Sequence, residues 1–157
     1  MVVWGPEPVI PVAFKTVHLA IRHQAEKMHK HNWCNSVGSG VTKSLINIPS
    51  TSVSNYLSHL QRNHLRLFVQ VITGHPTLNG HLHRIGKAES DLCPFCEVAV
   101  ETSLHFLGKC DVFVEERLDV LERQLLSAAG VRVIEPAMLM YYILSTGRFS
   151  PKGITQH

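Results

Sequence analysis

The sequence predicts a mostly α-helical fold, in which a small helical domain carries a CCHC zinc-knuckle-like segment. Apolar residues make up 45% of the 157 residues and charged residues 17%, the composition of a folded chain and not of a disordered one. Apolar side chains recur mainly at steps of three and four, the spacing of one helix face, and strand-like alternation is scarce. Three of the four cysteines lie within eighteen residues, which favours a metal site over a disulfide scaffold.

Four regions follow one another along the chain. Residues 1–12 contain three prolines and are expected to be extended, because proline pushes its predecessor towards extended backbone. Residues 13–88 are predicted to form a basic helical region, and residues 89–110 a zinc-binding segment. Residues 111–157 are predicted to form a C-terminal helical region that packs on the same core.

The first predicted helix begins at about Pro11 and ends at about Trp33. Lysine and arginine side chains lie off its apolar stripe, as expected for an amphipathic helix. The segment 36–54 is rich in serine, threonine and glycine, and predicts a long loop that is either mobile or functional. The apolar stripe of the helix consists of Phe14, Val17, Ile21, Ala25 and Met28.

A second helix is predicted from Ser54, which can cap its N-terminus, to Thr73. A short helix then follows, with Asn79 as its N-cap and Gly86 as its left-handed stop. Leu82 and Ile85 of the short helix are expected to be buried. The inner face of the second helix is predicted to contain Leu57, Leu60, His64, Leu67 or Phe68, Val71 and Ile72.

Beyond the cysteines, one amphipathic helix is predicted over residues 111–129, with Gly130 as its stop. Its charged residues, Arg117 among them, are expected on a solvated face. Residues 131–134 form a short β-prone run, and Pro136 suits the first turn of a last apolar helix that ends at about Leu144. The apolar stripe of the 111–129 helix consists of Phe113, Leu118, Leu121 and Leu125.

The pattern with the clearest chemistry is C-x2-C-x8-H-x4-C, formed by Cys93, Cys96, His105 and Cys110. Three thiolates and one imidazole make a closed tetrahedral site that suits one structural Zn²⁺ and leaves no position for a catalytic water. The alternatives are that the cysteines are incidental or form a disulfide. Position 97 often needs glycine for a positive φ in such turns, and Glu97 there costs about 1 kcal/mol, which zinc can override.

Charge divides the chain into two unequal halves. Residues 1–88 carry nine lysines or arginines and two acids, whereas residues 89–157 carry six and ten. A basic half suggests contact with a polyanion, most commonly nucleic acid, although small domains also have lopsided surfaces for no such reason. Two-metal nucleic-acid hydrolysis needs several converging acids, so a basic half with only Glu7 and Glu26 is not expected to be an enzyme.

Nothing in the sequence suggests a membrane or secreted protein. The longest apolar run, Ala137–Leu144, has eight residues, and a membrane span needs about 20. The first residues have no basic stretch, and prolines interrupt their apolar run. The expected location is intracellular, in the cytoplasm, the nucleus or both, with no membrane partner and no small-molecule substrate. The sequence does not predict an oligomeric state.

Several blocks together resemble a known family, the C-terminal, reverse transcriptase zinc-binding type region of insect-type non-LTR retrotransposon polyproteins. In those polyproteins the region follows the reverse transcriptase and ribonuclease H domains. The resemblance spans nearly the whole chain and includes the cysteine and histidine pattern. Its further blocks are Gly5-Pro6-Glu7-Pro8, Leu65-Arg66-Leu67, Thr73-Gly74-His75, Leu78-Asn79, His81-Leu82, Arg84-Ile85-Gly86, Glu101-Thr102 and Gly147-Arg148-Phe149.

This resemblance implies binding of element RNA or target DNA during reverse transcription. It carries over no catalysis, because the polymerase and ribonuclease H carboxylates of the family's RNA-directed DNA polymerase would lie upstream of this chain. Glu97, where glycine is usual, and Lys109, just before the last cysteine, depart from the family pattern.

The first functional hypothesis is therefore a non-catalytic, zinc-containing module that binds RNA or DNA. Phosphate contacts are expected from Arg62, Arg66, Arg84 and Lys87, and base stacking from Phe95. The alternatives are a zinc-stabilised structural or protein-interaction domain, and a truncated retrotransposon open reading frame without selected activity.

Overall fold

The computed structural model describes residues 13–46 and 50–150. The described residues are mostly helical, which confirms the predicted fold class. Their β-type pairing is one isolated antiparallel bridge between Leu92 and Val100. The extended segment predicted for residues 1–12 lies outside the described residues. The chain divides into two compact units, residues 1–37 and 38–157, and each is described by itself.

The first unit contains one long helix, α1, over Phe14–Asn35. Its position agrees with the prediction to within a few residues. However, none of its residues is buried, and Phe14 is 85% and Ile21 64% exposed. The helical spacing of apolar residues therefore predicted the position of α1 correctly. The apolar stripe that it forms, however, is exposed and not buried in a core.

The second unit contains eight further α-helices and one 3₁₀ turn in its described part. The core is built mainly from α4, α6, α7 and α9, whose buried apolar side chains belong to one cluster. The elements are α2 (Gly40–Leu45), α3 (Thr51–Ser58), α4 (Arg62–Thr73), α5 (Asn79–Arg84), α6 (Ser103–Gly108), the 3₁₀ turn (Asp111–Phe113), α7 (Val114–Leu121), α8 (Ala128–Arg132) and α9 (Pro136–Ser145).

The long loop predicted for residues 36–54 is wrong, because α2 lies within it. Leu45 at the end of α2 is buried, and α2 packs against α4 and α8. Arg132 of α8 donates to the carbonyl oxygens of Ser44, over 2.7 Å, and Lys43, over 2.9 Å. The side chain thus satisfies carbonyl groups that a helix C-terminus leaves unpaired, which stabilises so short a helix.

The single helix predicted from Ser54 to Thr73 is two helices. α3 begins earlier, where the Ser50 hydroxyl accepts a hydrogen bond from the backbone N–H of Val53 over 3.3 Å. It ends because the Ser58 hydroxyl and the His59 ring both bond the carbonyl oxygen of Asn55, at 2.8 and 2.6 Å. That carbonyl would otherwise accept the next helical hydrogen bond, so the side chains compete with the helix.

The short helix α5 starts at Asn79, whose predicted place as N-cap is taken by Leu78. Gly86 has a φ of 69° and ends the segment in the left-handed conformation, as predicted. Leu82 is half-buried, and Ile85 is 48% exposed, so its predicted burial is wrong. Leu78 instead provides the buried side chain at this point.

The helix predicted over residues 111–129 is interrupted, because Glu122 adopts a left-handed φ of 53° and ends α7. The chain then returns to α6, where the backbone N–H of Leu126 donates to the carbonyl oxygen of Gly108 over 2.9 Å. A Cβ at Gly108 would collide with the Leu126 carbonyl oxygen, so this close approach requires glycine. Gly130 lies within α8 and is not a stop, and the β-prone run 131–134 begins inside that helix.

The last helix, α9, begins at Pro136 and ends at Ser145, close to its predicted bounds. It contributes Leu139, Met140, Tyr142 and Ile143 to the core. Of the stripe predicted for the preceding helix, Phe113 and Leu121 are buried, whereas Leu118 and Leu125 are exposed.

Candidate metal centre

The four predicted metal ligands come together at one point. Their donor atoms, three sulfurs and one ring nitrogen, all lie within 4.8 Å of one another, so Cys93, Cys96, His105 and Cys110 could hold a metal ion. Cys93, His105 and Cys110 are buried and Cys96 is half-buried. The predicted cluster of cysteine and histidine ligands is confirmed as a juxtaposition of side chains.

Two of the six separations between the donor atoms are close to those of a tetrahedral ligand set. The sulfur atoms of Cys93 and Cys110 are 3.9 Å apart, and the Cys96 sulfur is 3.4 Å from Nε2 of His105. With bonds of about 2.3 Å to sulfur and 2.0–2.1 Å to nitrogen, a tetrahedron has edges of about 3.8 Å between sulfurs and about 3.6 Å between sulfur and nitrogen. The sulfur–sulfur distance is far longer than the bond of about 2.0 Å in a disulfide.

A short turn positions the first two cysteines. The backbone N–H of Cys93 donates to the carbonyl oxygen of Ala99, next to the Leu92–Val100 bridge, and the N–H of Glu97 donates to the carbonyl oxygen of Cys93. Glu97 has a φ of 55°, which confirms that this position requires the left-handed conformation usually provided by glycine.

Backbone N–H groups near the three sulfurs favour the thiolate form. Those of Phe95 and Cys96 lower the pKa of Cys93, those of Val98 and Ala99 lower the pKa of Cys96, and that of Val112 lowers the pKa of Cys110. N–H donors stabilise a thiolate more than a thiol, so the local backbone offsets part of the effect of burial.

Helix α6 and its ends position the other two ligands. The Thr102 hydroxyl caps α6 by accepting a hydrogen bond from the backbone N–H of His105 over 3.1 Å. The N–H of Cys110 donates to the carbonyl oxygen of His105 over 2.8 Å, which closes the turn after the helix. The five-residue spacing therefore brings both side chains to one point, as the sequence predicted.

Burial opposes charge on the sulfurs unless a cation is close. Burial, together with repulsion from the neighbouring Cys93 and Cys96 sulfurs, raises the pKa of Cys110 to about 12. Burial also raises the pKa of Cys93, whereas the backbone N–H of Val98 lowers the pKa of Cys96. A divalent cation reverses this balance, because it neutralises the repulsion among the thiolates. Burial lowers the pKa of His105 and so favours the neutral imidazole that a metal needs.

The residue that sequence reasoning missed at this centre is Arg117, which is fully buried and not on a solvated face. It donates to the carbonyl oxygens of Cys110 and Gln124, over 2.6 and 2.9 Å, and to the Tyr142 hydroxyl over 3.4 Å. Among the described residues no carboxylate lies within ion-pairing distance of it. Its neighbours in sequence are acidic, so nothing local distinguished it from an exposed arginine.

A second missed feature is the buried ion pair between Glu101 and Arg148. Arg148 donates to the two carboxylate oxygens over 2.8 and 3.0 Å, and the backbone N–H of Asn79 donates to the same carboxylate over 2.6 Å. Glu101 is 1% exposed. The pair therefore ties α5 and the C-terminal turn to the segment that carries the ligands. Both residues lie in blocks of the retrotransposon resemblance, which was the available signal.

The predicted nucleic-acid contacts lie at several places on the second unit. Arg62 and Arg66 are exposed, one turn apart on α4, and Arg66 lines a cleft between α4 and α9. Arg84 is exposed on α5, 3.0 Å from Nδ1 of His81, and lines a different cleft. Lys87 is exposed just after α5. Arg66 and Arg84 are thus not brought into one cleft.

Phe95, the predicted stacking residue, is 41% exposed. Its ring centroid is 5.0 Å from that of Phe113, and the guanidinium of Arg148 lies 5.7 Å from its centre. The ring is therefore anchored at the edge of the metal centre with part of its surface in solvent.

No protein-family model, curated protein or solved structure matches this chain. Within the described residues, no helix combines the length and the hydropathy that crossing a bilayer demands.

Proposed function

We propose that the chain is a non-catalytic module that binds RNA or DNA and contains one structural Zn²⁺. The observation that supports zinc is the cluster of three thiols and one imidazole, whose donor atoms all lie within 4.8 Å of one another. Zinc prefers these ligands, and four protein ligands complete its shell. Cys93, Cys96, His105 and Cys110 would hold it, and the metal would supply folding free energy of the order of 10 kcal/mol.

The observation that carries the nucleic-acid proposal is uncompensated positive charge on α4 and after α5. Arg62, Arg66 and Lys87 are exposed, and in the described ranges no carboxylate pairs with them. Charges that the fold does not neutralise are available to phosphates, and each phosphate contact releases counterions. The basic half contains only two acidic residues, Glu7 and Glu26, whereas metal-dependent hydrolysis of nucleic acid needs several that converge. This composition supports binding without hydrolysis.

The resemblance to the zinc-binding region of insect-type non-LTR retrotransposon polyproteins supports the same proposal. A module derived from the end of such a polyprotein would hold element RNA or target DNA while upstream domains catalyse. The intracellular location expected from the sequence follows from this origin as well.

Fluorescence anisotropy tests the proposal, with labelled single- and double-stranded oligonucleotides titrated at two salt concentrations. We expect an affinity that falls steeply with salt, with a slope of about 0.7–0.9 per phosphate contact in the double-logarithmic plot. Absence of binding to every oligonucleotide at low salt, by protein shown to be folded and metal-loaded, would refute the proposal.

The second candidate function is a zinc-stabilised protein-interaction domain. The specific observation that favours it is α1, on which Phe14 and Ile21 are largely exposed and Met28 is 55% exposed. Apolar contact with a protein depends little on ionic strength, so salt dependence in the same titration distinguishes the two functions.

A further inference from the structure

We infer that the cleft between α4 and the end of α9 accepts an unpaired nucleobase, so that the module prefers single-stranded nucleic acid. This inference rests on the proposed function. The cleft has a volume of about 430 Å³. Small-molecule sites occupy about 300–1,000 Å³, so the space suits a planar group the size of a base.

One wall of the cleft is polar and belongs to α4. Asn63, Arg66 and Gln70 lie at positions i, i+3 and i+7, on one face of the helix, and all three line the cleft. Within the described ranges the side chains of Asn63 and Gln70 have no hydrogen-bond partner in the protein. Each amide carries both donors and acceptors, the combination that pairs with the edge of a base.

The other wall is apolar. Ile143 and Leu144 of α9 line it together with Phe149. The Phe149 ring is half-buried and packs edge-on against Phe106, with 5.3 Å between ring centroids. The guanidinium of Arg148 also lies over this ring, 5.7 Å from its centre. The part of the ring that borders the cleft, together with the apolar side chains of α9, can hold the flat face of a base while its edge is hydrogen-bonded.

Charge at the cleft favours a nucleotide over other planar ligands. Arg66 is exposed and carries the positive charge of the cleft, and none of the described residues that line it is an acid. Arg62 lies one turn away on the same helix. A strand whose phosphates contact Arg66 and Arg62 therefore passes the opening of the cleft. A base within a duplex is stacked and paired, so it would have to flip out to enter, whereas an unpaired base enters without that cost.

The test compares oligonucleotides of the same sequence as single strands and as duplexes, with Gln70→Leu as the variant. The matched control is Gln24→Leu, which makes the same change on exposed α1. We expect tighter single-strand binding by the unchanged protein and an affinity reduced about five- to tenfold in Gln70→Leu, as for the removal of one or two hydrogen bonds, with the salt slope unchanged. Gln24→Leu is expected to bind as the unchanged protein does. A 2-aminopurine base in the single strand is expected to change its fluorescence on binding, less so with Gln70→Leu.

The inference would be overturned, and the proposed function left standing, if the protein bound single strands and duplexes with equal affinity and Gln70→Leu did not change the affinity for single strands. Absence of binding to either form would overturn both. Metal content and circular dichroism of each variant establish that it is folded, and parallel DNA and RNA strands show which sugar is preferred.

Discussion

Nη2 of Arg117 donates to the carbonyl oxygen of Cys110 over 2.6 Å, and no part of Arg117 reaches solvent. A buried guanidinium is costly unless charge nearby balances it. In the proposed zinc form, three thiolates around Zn²⁺ leave the centre with one net negative charge. In that form Arg117 would be the counter-charge of the centre, and it already holds the backbone of Cys110 through this hydrogen bond.

We expect Arg117→Met to lower the free energy of unfolding by about 3–5 kcal/mol, because the buried carbonyl groups lose their donor and the centre its balancing charge. Chelators should also remove the metal faster. Denaturant unfolding and a colorimetric chelator assay measure the two effects. Arg123→Met, an exposed arginine on the same segment, is the control and should change neither. Unchanged metal release in Arg117→Met would contradict the counter-charge.

Metal analysis is expected to find about one equivalent of zinc in protein purified without added metal. Cys96→Ser should lose it and unfold residues 89–110 first, while α4 persists longer because it also packs against α2, outside that segment. Hydrogen exchange resolves the two segments. Cys34→Ser, which changes an exposed cysteine, should keep the metal. Folded protein with almost no metal would refute the site.

Burial raises the pKa of Tyr142 to about 12 from its ordinary value of 10.0. Because the folded state favours the neutral phenol, this contribution to stability is complete below pH 10.0 and is lost as the pH rises towards 12. The loss is expected to reach roughly 2–3 kcal/mol. Tyr142→Phe should abolish this part of the alkaline decline in unfolding free energy, whereas the exposed neighbour Tyr141→Phe should retain it. If the unfolding free energy fell equally with pH in the unchanged protein and in both variants, Tyr142 would not be the group responsible.

Arg148→Met is expected to destabilise the fold by about 3–5 kcal/mol, because it leaves the Glu101 carboxylate buried without its cation. Chemical denaturation measures the change. Arg22→Met breaks an exposed ion pair with Glu26 on α1 and should have little effect. If the two variants had similar denaturation midpoints, burial would not determine how much an ion pair contributes to stability.

Replacing Arg62, Arg66, Arg84 and Lys87 together by alanine should weaken binding to all oligonucleotide sequences about equally. The salt slope should fall by up to roughly 0.7–0.9 for each phosphate that the variant no longer neutralises. Anisotropy titrations measure both quantities. A folded, metal-loaded quadruple variant with unchanged affinity and slope would show that these residues serve solubility alone.

The sequence by itself determined the features that depend on neighbours along the chain. The four candidate metal ligands lie within eighteen residues, so their spacing and two short turns suffice to bring them together. The positive φ values of Glu97 and Gly86 and the bounds of α9 follow equally from local backbone rules. Helical period and turn chemistry are properties of short segments, and they can be read without knowing what packs against them.

Only the tertiary structure decided which faces are covered and which charges are buried. Arg117 and Arg123 look alike in sequence, and burial of the first depends on carbonyl groups that α6, α7 and α9 enclose. The pairing of Glu101 with Arg148 joins residues 47 positions apart, and α2 forms where a loop was predicted because α4 and α8 pack against it. Contacts between distant segments have no local period, because burial is conferred by the partner surface and not by the segment itself.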